Sequence, residues 1–209
     1  MPTYTQANRP LAVGTPLGAD ALLLVGFSAE ESISRLFSFH LDLIAENETK
    51  IPFEKLLGQS ITVRLALENG RHRYFNGLCT RLIKGHCDST FTSYRMELVP
   101  EFWLLTRSAQ SRIFQHISVP DILKKVLAGL NVDFQVRGTF HPRDFCVQYR
   151  ETDFNFASRL MEEEGIYYFF QHSASGHTMV VGNTPQSHAD MPANTACGEV
   201  NLPLRAVRL

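Results

Sequence analysis

Hydrophobic and polar residues alternate with a period of two through much of the first hundred positions. The clearest run is LFSFHLDL, where Phe37, Phe39, Leu41 and Leu43 are separated by Ser38, His40 and Asp42. Successive side chains of a strand point to opposite faces, so this run predicts one face on a core and one in water. Ile61, Val63, Leu65 and Leu67 repeat the pattern and lead into ENG, and RHRYFNGLCTRLIKG returns from a hairpin bend predicted at Asn69-Gly70. FTSYRMELVP reads as a further strand, and the apolar run ALLLVGF at 21–27 has the length of a buried one. Strands joined by short turns predict an antiparallel β-barrel-like subdomain over 21–100. Residues 1–20 read as an N-terminal tail.

The period changes after Pro100. In SVPDILKKVLAGLN, Ser118 and Asp121 form an S-x-x-D capping pattern and Pro120 sits in the first turn, with Ile122, Leu123, Val126, Leu127 and Leu130 at helical spacing behind them. Strands are predicted at about 133–137 and 145–150. Thr152 or Asp153 then caps a second helix with Phe154, Ala157, Leu160 and Met161 on one stripe and Gly165 at its end, and IYYFFQH and HTMVVGN form a hairpin about SASG. Residues 101–183 are thus a helix-containing α+β region, and the fold class is mainly β (α+β). Residues 184–209, rich in Pro, Asn and small side chains, read as linker or disorder.

Charge changes the picture by exclusion. Lys and Arg number 20 against 21 Asp and Glu, so neither nucleic acid nor an anionic membrane is attracted to the chain as a whole. The bases interleaved with aromatics in RHRYFNG are too few to form a nucleic-acid patch and are expected to pack across strands. The N-terminus lacks a basic segment ahead of an apolar one, so no signal peptide is predicted; the sequon Asn47-Glu48-Thr49 then has no glycosylating compartment, and no apolar run has the length of a membrane span. Cys79, Cys87, Cys146 and Cys197 lack C-x-x-C spacing and are expected as reduced, buried thiols, a Cys79–Cys87 bridge across a hairpin being the alternative. His172 and His177 flank the predicted turn and are expected in solvent rather than on a metal. No nucleophile elbow, phosphate loop or zinc signature occurs, so no catalytic residue, cofactor or metal is assigned.

The segment YRETDFNFASRLMEEEGIYYFF holds the pattern most suggestive of chemistry, the triplet Glu162, Glu163 and Glu164. Consecutive helical residues lie about 100° apart, so these carboxylates splay instead of converging. At a helix C-terminus they also oppose the macrodipole, and Arg159 offsets part of this at i+3 and i+4. A solvated helix end, ion pairing across an interface, and catalysis or metal binding are the three readings.

Five segments bear a resemblance that composition does not carry: RLFSFHLDLIAEN, LLGQSITVRL, RYFNGLCTRL, YRMELVPEFWLLTRSAQSRIFQHISVPDIL and FCVQYRETDFNFASRLMEEEGIYYFFQH. In this order they resemble the N-terminal region of the VgrG family, the type VI secretion spike proteins related to phage late control protein D and contractile-tail baseplate hubs. The resemblance implies a homotrimeric structural hub. Two similar barrels per subunit form a pseudo-sixfold ring on the terminal tail-tube ring protein, with effectors or adaptors as further partners, cytoplasmic assembly and export by the contractile apparatus. No catalysis is implied, and a contribution to an interface is expected of Arg150, Glu151, Asp153, Glu162, Glu163 and Glu164. Family members continue into the rest of the hub, an OB-fold and a valine-glycine needle. Here Val13-Gly14, Val25-Gly26 and Val181-Gly182 are isolated, so 145–182 is expected to lead toward a second barrel and the chain to be truncated without membrane-puncturing parts. The alternatives are a glycan hydrolase using Glu163 and Asp153, or a remnant with exposed barrel edges.

Overall fold

In the computed structural model, which describes residues 4–67 and 70–187, the alternating segments form a six-stranded antiparallel sheet. Its strands are β1 (Leu11–Gly14), β2 (Leu23–Glu30), β3 (Ser38–Glu46), β4 (Ser60–Ala66), β5 (His72–Cys87) and β6 (Phe91–Val99), in the order β1-β4-β5-β6-β3-β2. The sheet curls into a nearly closed barrel. Phe37, Phe39, Leu41 and Leu43 enter its core with Ile61 and Val63, as the alternation requires. At the predicted hairpin the Leu67 N–H donates to Arg71 O at 2.7 Å and Gly70 adopts φ +72°; Asn69 lies outside the described residues.

The expected N-terminal tail is corrected, because β1 lies within it and pairs with β4, Leu11 opposite Leu65 and Val13 opposite Val63. Four residues are too few to display a period. The sheet order leaves β1 and β2 as its two edges, and the side chain of Gln6 closes the gap between them. Its Nε2 donates to Val13 O at 2.8 Å and Leu22 O at 3.2 Å, while its Oε1 accepts from the N–H groups of Val13 at 3.1 Å and Leu24 at 3.4 Å. One amide thus supplies both donors and acceptors to a seam that backbone pairing does not close. Gln6→Ala is expected to lower stability by about 2 kcal/mol in urea unfolding, since buried peptide groups lose partners; an unchanged midpoint would show that the seam does not depend on Gln6.

The second lobe begins with a 3-10 helix, Glu101–Arg107, and continues through β7 (Ala109–Ile117), α1 (Val119–Val126), β8 (Val132–Gln135), β9 (Arg143–Thr152), α2 (Asp153–Glu163), β10 (Tyr167–His172) and β11 (His177–Gly182). β10 pairs antiparallel with β11, β8 joins β11 in parallel, and β7 and β9 form a separate antiparallel ribbon. Phe102, Ile122, Leu123, Phe156, Leu160 and Met161 belong to its core. Strand β7 has no counterpart in the sequence reading because Ile113 and Phe114 face opposite ways, and apolar side chains on both faces erase the alternation. Ser118 stands at the N-cap of α1 as expected, but its Oγ donates to Asp121 Oδ2 at 2.6 Å and makes no side-chain bond to the helix N–H groups.

Within the expected irregular end, Pro185–Ser187 form a 3-10 turn with Ser187 buried, and Tyr167 Oη donates to Thr184 O at 2.5 Å. Residues 188–209, with His188 and Cys197, lie outside the described residues. Cys79 and Cys87 are free and share strand β5, eight residues and about 26 Å apart, so no disulfide can join them. Cys79 and Cys146 are buried as expected, and burial pushes the Cys79 thiol up to about 11; Cys87 is exposed, against the expectation.

Candidate assembly surface

Helix α2 is defined at both ends by its own sequence. Thr152 Oγ1 accepts from Asn155 N–H at 3.1 Å at the start. At the end Gly165 takes φ +66°, its N–H donates to Glu162 O at 3.3 Å, and the buried Ile166 donates to Met161 O at 2.8 Å. This double closure satisfies carbonyls that the helix leaves open and needs a left-handed residue where glycine stands.

The glutamate triplet divides between two environments. Glu162 is exposed. Glu163 and Glu164 converge on Arg143 of β9, with Nη1 at 2.5 Å from Glu163 Oε2 and Nη2 at 2.6 Å from Glu164 Oε1. Arg159 joins Glu163 at 3.1 Å and Glu151 at 2.6 Å. Hydrogen bonding from Arg143, then from Arg159, holds the Glu163 carboxyl below the usual carboxylate range. Asp153 is buried and accepts from Arg112 Nη2 at 2.5 Å and from Gln148 Nε2 at 2.8 Å. Asp153 and Glu163, the carboxylates of the hydrolase reading, are therefore each engaged with arginine inside the chain. Arg143 and Arg112 were not singled out from sequence, since their partners lie 20 and 41 residues away.

These ion pairs fasten α2 to one side of the β7/β9 ribbon, where Phe114 stacks on Phe156 at 5.7 Å between ring centroids. The other side is open. Ile113, Phe145, Val147 and Tyr149 are 66%, 65%, 48% and 68% exposed, and Ile113 pairs directly with Val147 across the strands. Four large apolar side chains on one ribbon face form a contiguous patch of a kind that marks contact sites. Arg150 stands at its margin with its guanidinium 5.4 Å from the Tyr149 ring centroid. Arg150 at φ +49° and His116 at φ +50° hold left-handed backbone at opposite ends of the ribbon, a conformation costly for residues with a Cβ. The alternation of Phe145, Val147 and Tyr149 was legible as a strand, but its direction was not.

A second cluster joins the lobes. His172 Nδ1 accepts from the Asn76 N–H at 2.9 Å and its Nε2 meets Glu31 Oε1 at 2.8 Å; His177 Nε2 accepts from the Glu101 N–H at 3.1 Å. Both side chains are buried, with ring centroids 6.0 Å apart and beside Phe37. The expectation of solvent histidines is corrected, because the hairpin folds back onto the barrel. Among the described residues, no group of three or more His, Cys, Asp or Glu could hold a metal ion.

A curled antiparallel barrel, joined by an aromatic seam to a small α+β lobe that presents an uncovered ribbon, is a fold of the contractile-tail hub class. Residues 30–201 match the family model described as the phage tail baseplate hub (GPD), and the chain belongs to that family. It is 40% identical over 190 residues to the type VI secretion system spike protein VgrG1b of Pseudomonas aeruginosa, covering 90% of this chain and 26% of that protein. Spike protein VgrG1a of the same organism is 42% identical over 188 residues, with 88% and 29% covered. The chain thus spans about a quarter of the length of these curated relatives. Among solved structures, the Escherichia coli c3393 protein, a type VI secretion component described as similar to T4 tail proteins gp27 and gp5, superposes with a TM-score of 0.75 at 24% identity, covering 88% of this chain and 53% of that one. The 43 kDa tail protein of prophage MuSo2 from Shewanella oneidensis gives 0.57 at 14% identity, with 82% and 52% covered. The family and its relatives support a structural role, and none of these matches supports the glycan-hydrolase alternative.

Proposed function

We propose that this chain is the hub module of a type VI secretion spike, acting by assembly. It associates as a homotrimer, docks on the terminal ring of the tail tube, and is assembled in the cytoplasm for export by the contractile apparatus, with effectors or adaptors engaging the complex. Among the described residues no helix is long and apolar enough to cross a membrane. The observation that carries self-association is the open ribbon face of Ile113, Phe145, Val147 and Tyr149, on a chain related over nine-tenths of its length to spike proteins. Arg150 contributes at the margin of this surface and Glu162 as an exposed charge. Glu151, Asp153, Glu163 and Glu164 contribute by fixing the ribbon through Arg159, Arg112 and Arg143.

Light scattering tests the proposal on the purified chain, alone and with the tube protein. The expected mass is three times 23.6 kDa, or a stoichiometric complex with the tube ring. The double substitution Phe145→Asp with Tyr149→Asp is expected to weaken self-association by at least about 100-fold, as two buried charges at a contact centre cost several kcal/mol. A wild-type chain that stays monomeric and does not bind the tube ring would refute it. A double variant that assembles normally would move the contact away from the ribbon.

A further inference from the structure

The joint between the lobes is built on two histidine rings, each bonded in a way that requires an unprotonated nitrogen. The Asn76 N–H can only donate, so His172 Nδ1 accepts, and Nε2 carries the ring proton and donates it to Glu31. The Glu101 N–H likewise makes His177 Nε2 an acceptor and leaves its proton on Nδ1. His172 and His177 face each other across β10 and β11, Asn76 lies in β5, Glu31 follows β2, and Glu101 opens the 3-10 helix after β6. One hairpin is thus tied to three other segments. A proton on His177 Nε2 would point N–H at N–H, abolish the bond to Glu101 and leave a cation facing Phe37 and Phe170, whose ring centroids lie 5.5 and 5.9 Å away.

We infer that His172 and His177 form a proton-operated latch, closed while His177 is neutral and released when it is protonated, freeing the β10–β11 hairpin from the barrel. The charged groups around it are Glu31 from the end of β2, on the far nitrogen of His172, and Arg73 from β5, which lies 3.7 Å from Glu31 and over the Phe75 ring. Glu101 meets His177 through its backbone N–H, and among the described residues no carboxylate forms an ion pair with the His177 ring. Burial, and then the neighbouring His172, push the His177 ring down from 6.5 to about 4. An opened hairpin takes up, below about pH 6.5, the proton that the closed one refuses. The latch therefore weakens as pH falls through this window, the open-to-closed ratio rising about 80-fold between pH 6.5 and pH 4 and about 300-fold over the full titration, and it is tightest above the window.

Trp103, the chain's only tryptophan, stands two residues after Glu101 and reports on the joint. Its emission and the exchange protection factors of the Asn76 and Glu101 amides are followed from about pH 7.5 to about pH 4. The expected result is coupled loss of both protections with a change in emission, while the amides of Leu41 and Val63 stay protected. His177→Gln, which keeps an acceptor that does not titrate in this range, is expected to abolish the response. Retained protection to about pH 4, or the same response in His177→Gln, overturns the latch. If His177→Gln does not fold, ring titration of the wild-type chain by NMR decides: a folded-state His177 midpoint near 4 supports the latch, and one at or above 6.5 sinks it.

Discussion

Asp153→Ala is expected to lower the free energy of unfolding by about 2–3 kcal/mol, the range for losing charge-assisted hydrogen bonds at a partly buried ion pair. Asp153 begins α2, and one of its carboxylate oxygens accepts from both Arg112 and Gln148. Its removal leaves the Arg112 guanidinium without its counterion and takes one partner from Gln148, a fully buried side chain that also donates to Glu151 O. Since Asp153 N–H in turn donates to Ser108 O, the change loosens the junction of β7, β9 and α2 together. Asp153→Asn keeps the shape and part of the hydrogen bonding, and is expected to lose less than half as much. Urea unfolding with both variants checks the argument, and a loss below about 1 kcal/mol in Asp153→Ala would show that Arg112 finds another acceptor. Under the proposed self-association, weaker assembly should follow the loss of stability, because the residue holds the ribbon from behind.

Phe37→Ala is the second large effect, expected at about 3–5 kcal/mol. The ring is buried, stacks on Phe39 at 4.3 Å and meets Phe170 edge-on at 5.0 Å, so it touches the barrel core and the second lobe at once. The vacated space has rigid walls: Gly77 already packs so closely that a Cβ there would stand 3.2 Å from Phe37 Cε2 and 2.8 Å from Leu98 Cβ. Such a site collapses poorly, which puts the cost toward the upper end of the range. Phe37→Leu should recover about half of it. Calorimetry distinguishes the possibilities, since a seam residue should destabilise both lobes in one transition, whereas a barrel-only effect would split the melting into two.

Much of the architecture was legible along the chain because it depends on neighbours. The alternation of Phe37, Phe39, Leu41 and Leu43 placed β3, and Thr152 with Gly165 bounded α2, because strand pleat and helix capping are decided within a few residues. The ordered segments of the hub resemblance carried the family, which the match over residues 30–201 bears out. The candidate surface was less accessible. The glutamates were visible, but their arginine partners were not, and the apolar positions of β9 were visible without the side to which they point. Strand β1 was too short for any period, and β7 carries apolar side chains on both faces.

What the sequence by itself determined, then, is the mainly β class, the position of most strands and both helices, and membership of the hub family. The tertiary structure alone decided that Gln6 closes the barrel, that Arg143 gathers Glu163 and Glu164, that the ribbon shows an apolar face, and that two histidines sit in a buried seam. The physical reason is contact distance along the chain. His172 meets Asn76 across 96 residues and His177 meets Glu101 across 76, and a polar side chain holds the same place in a local pattern whether solvent or a remote backbone amide completes its hydrogen bonds.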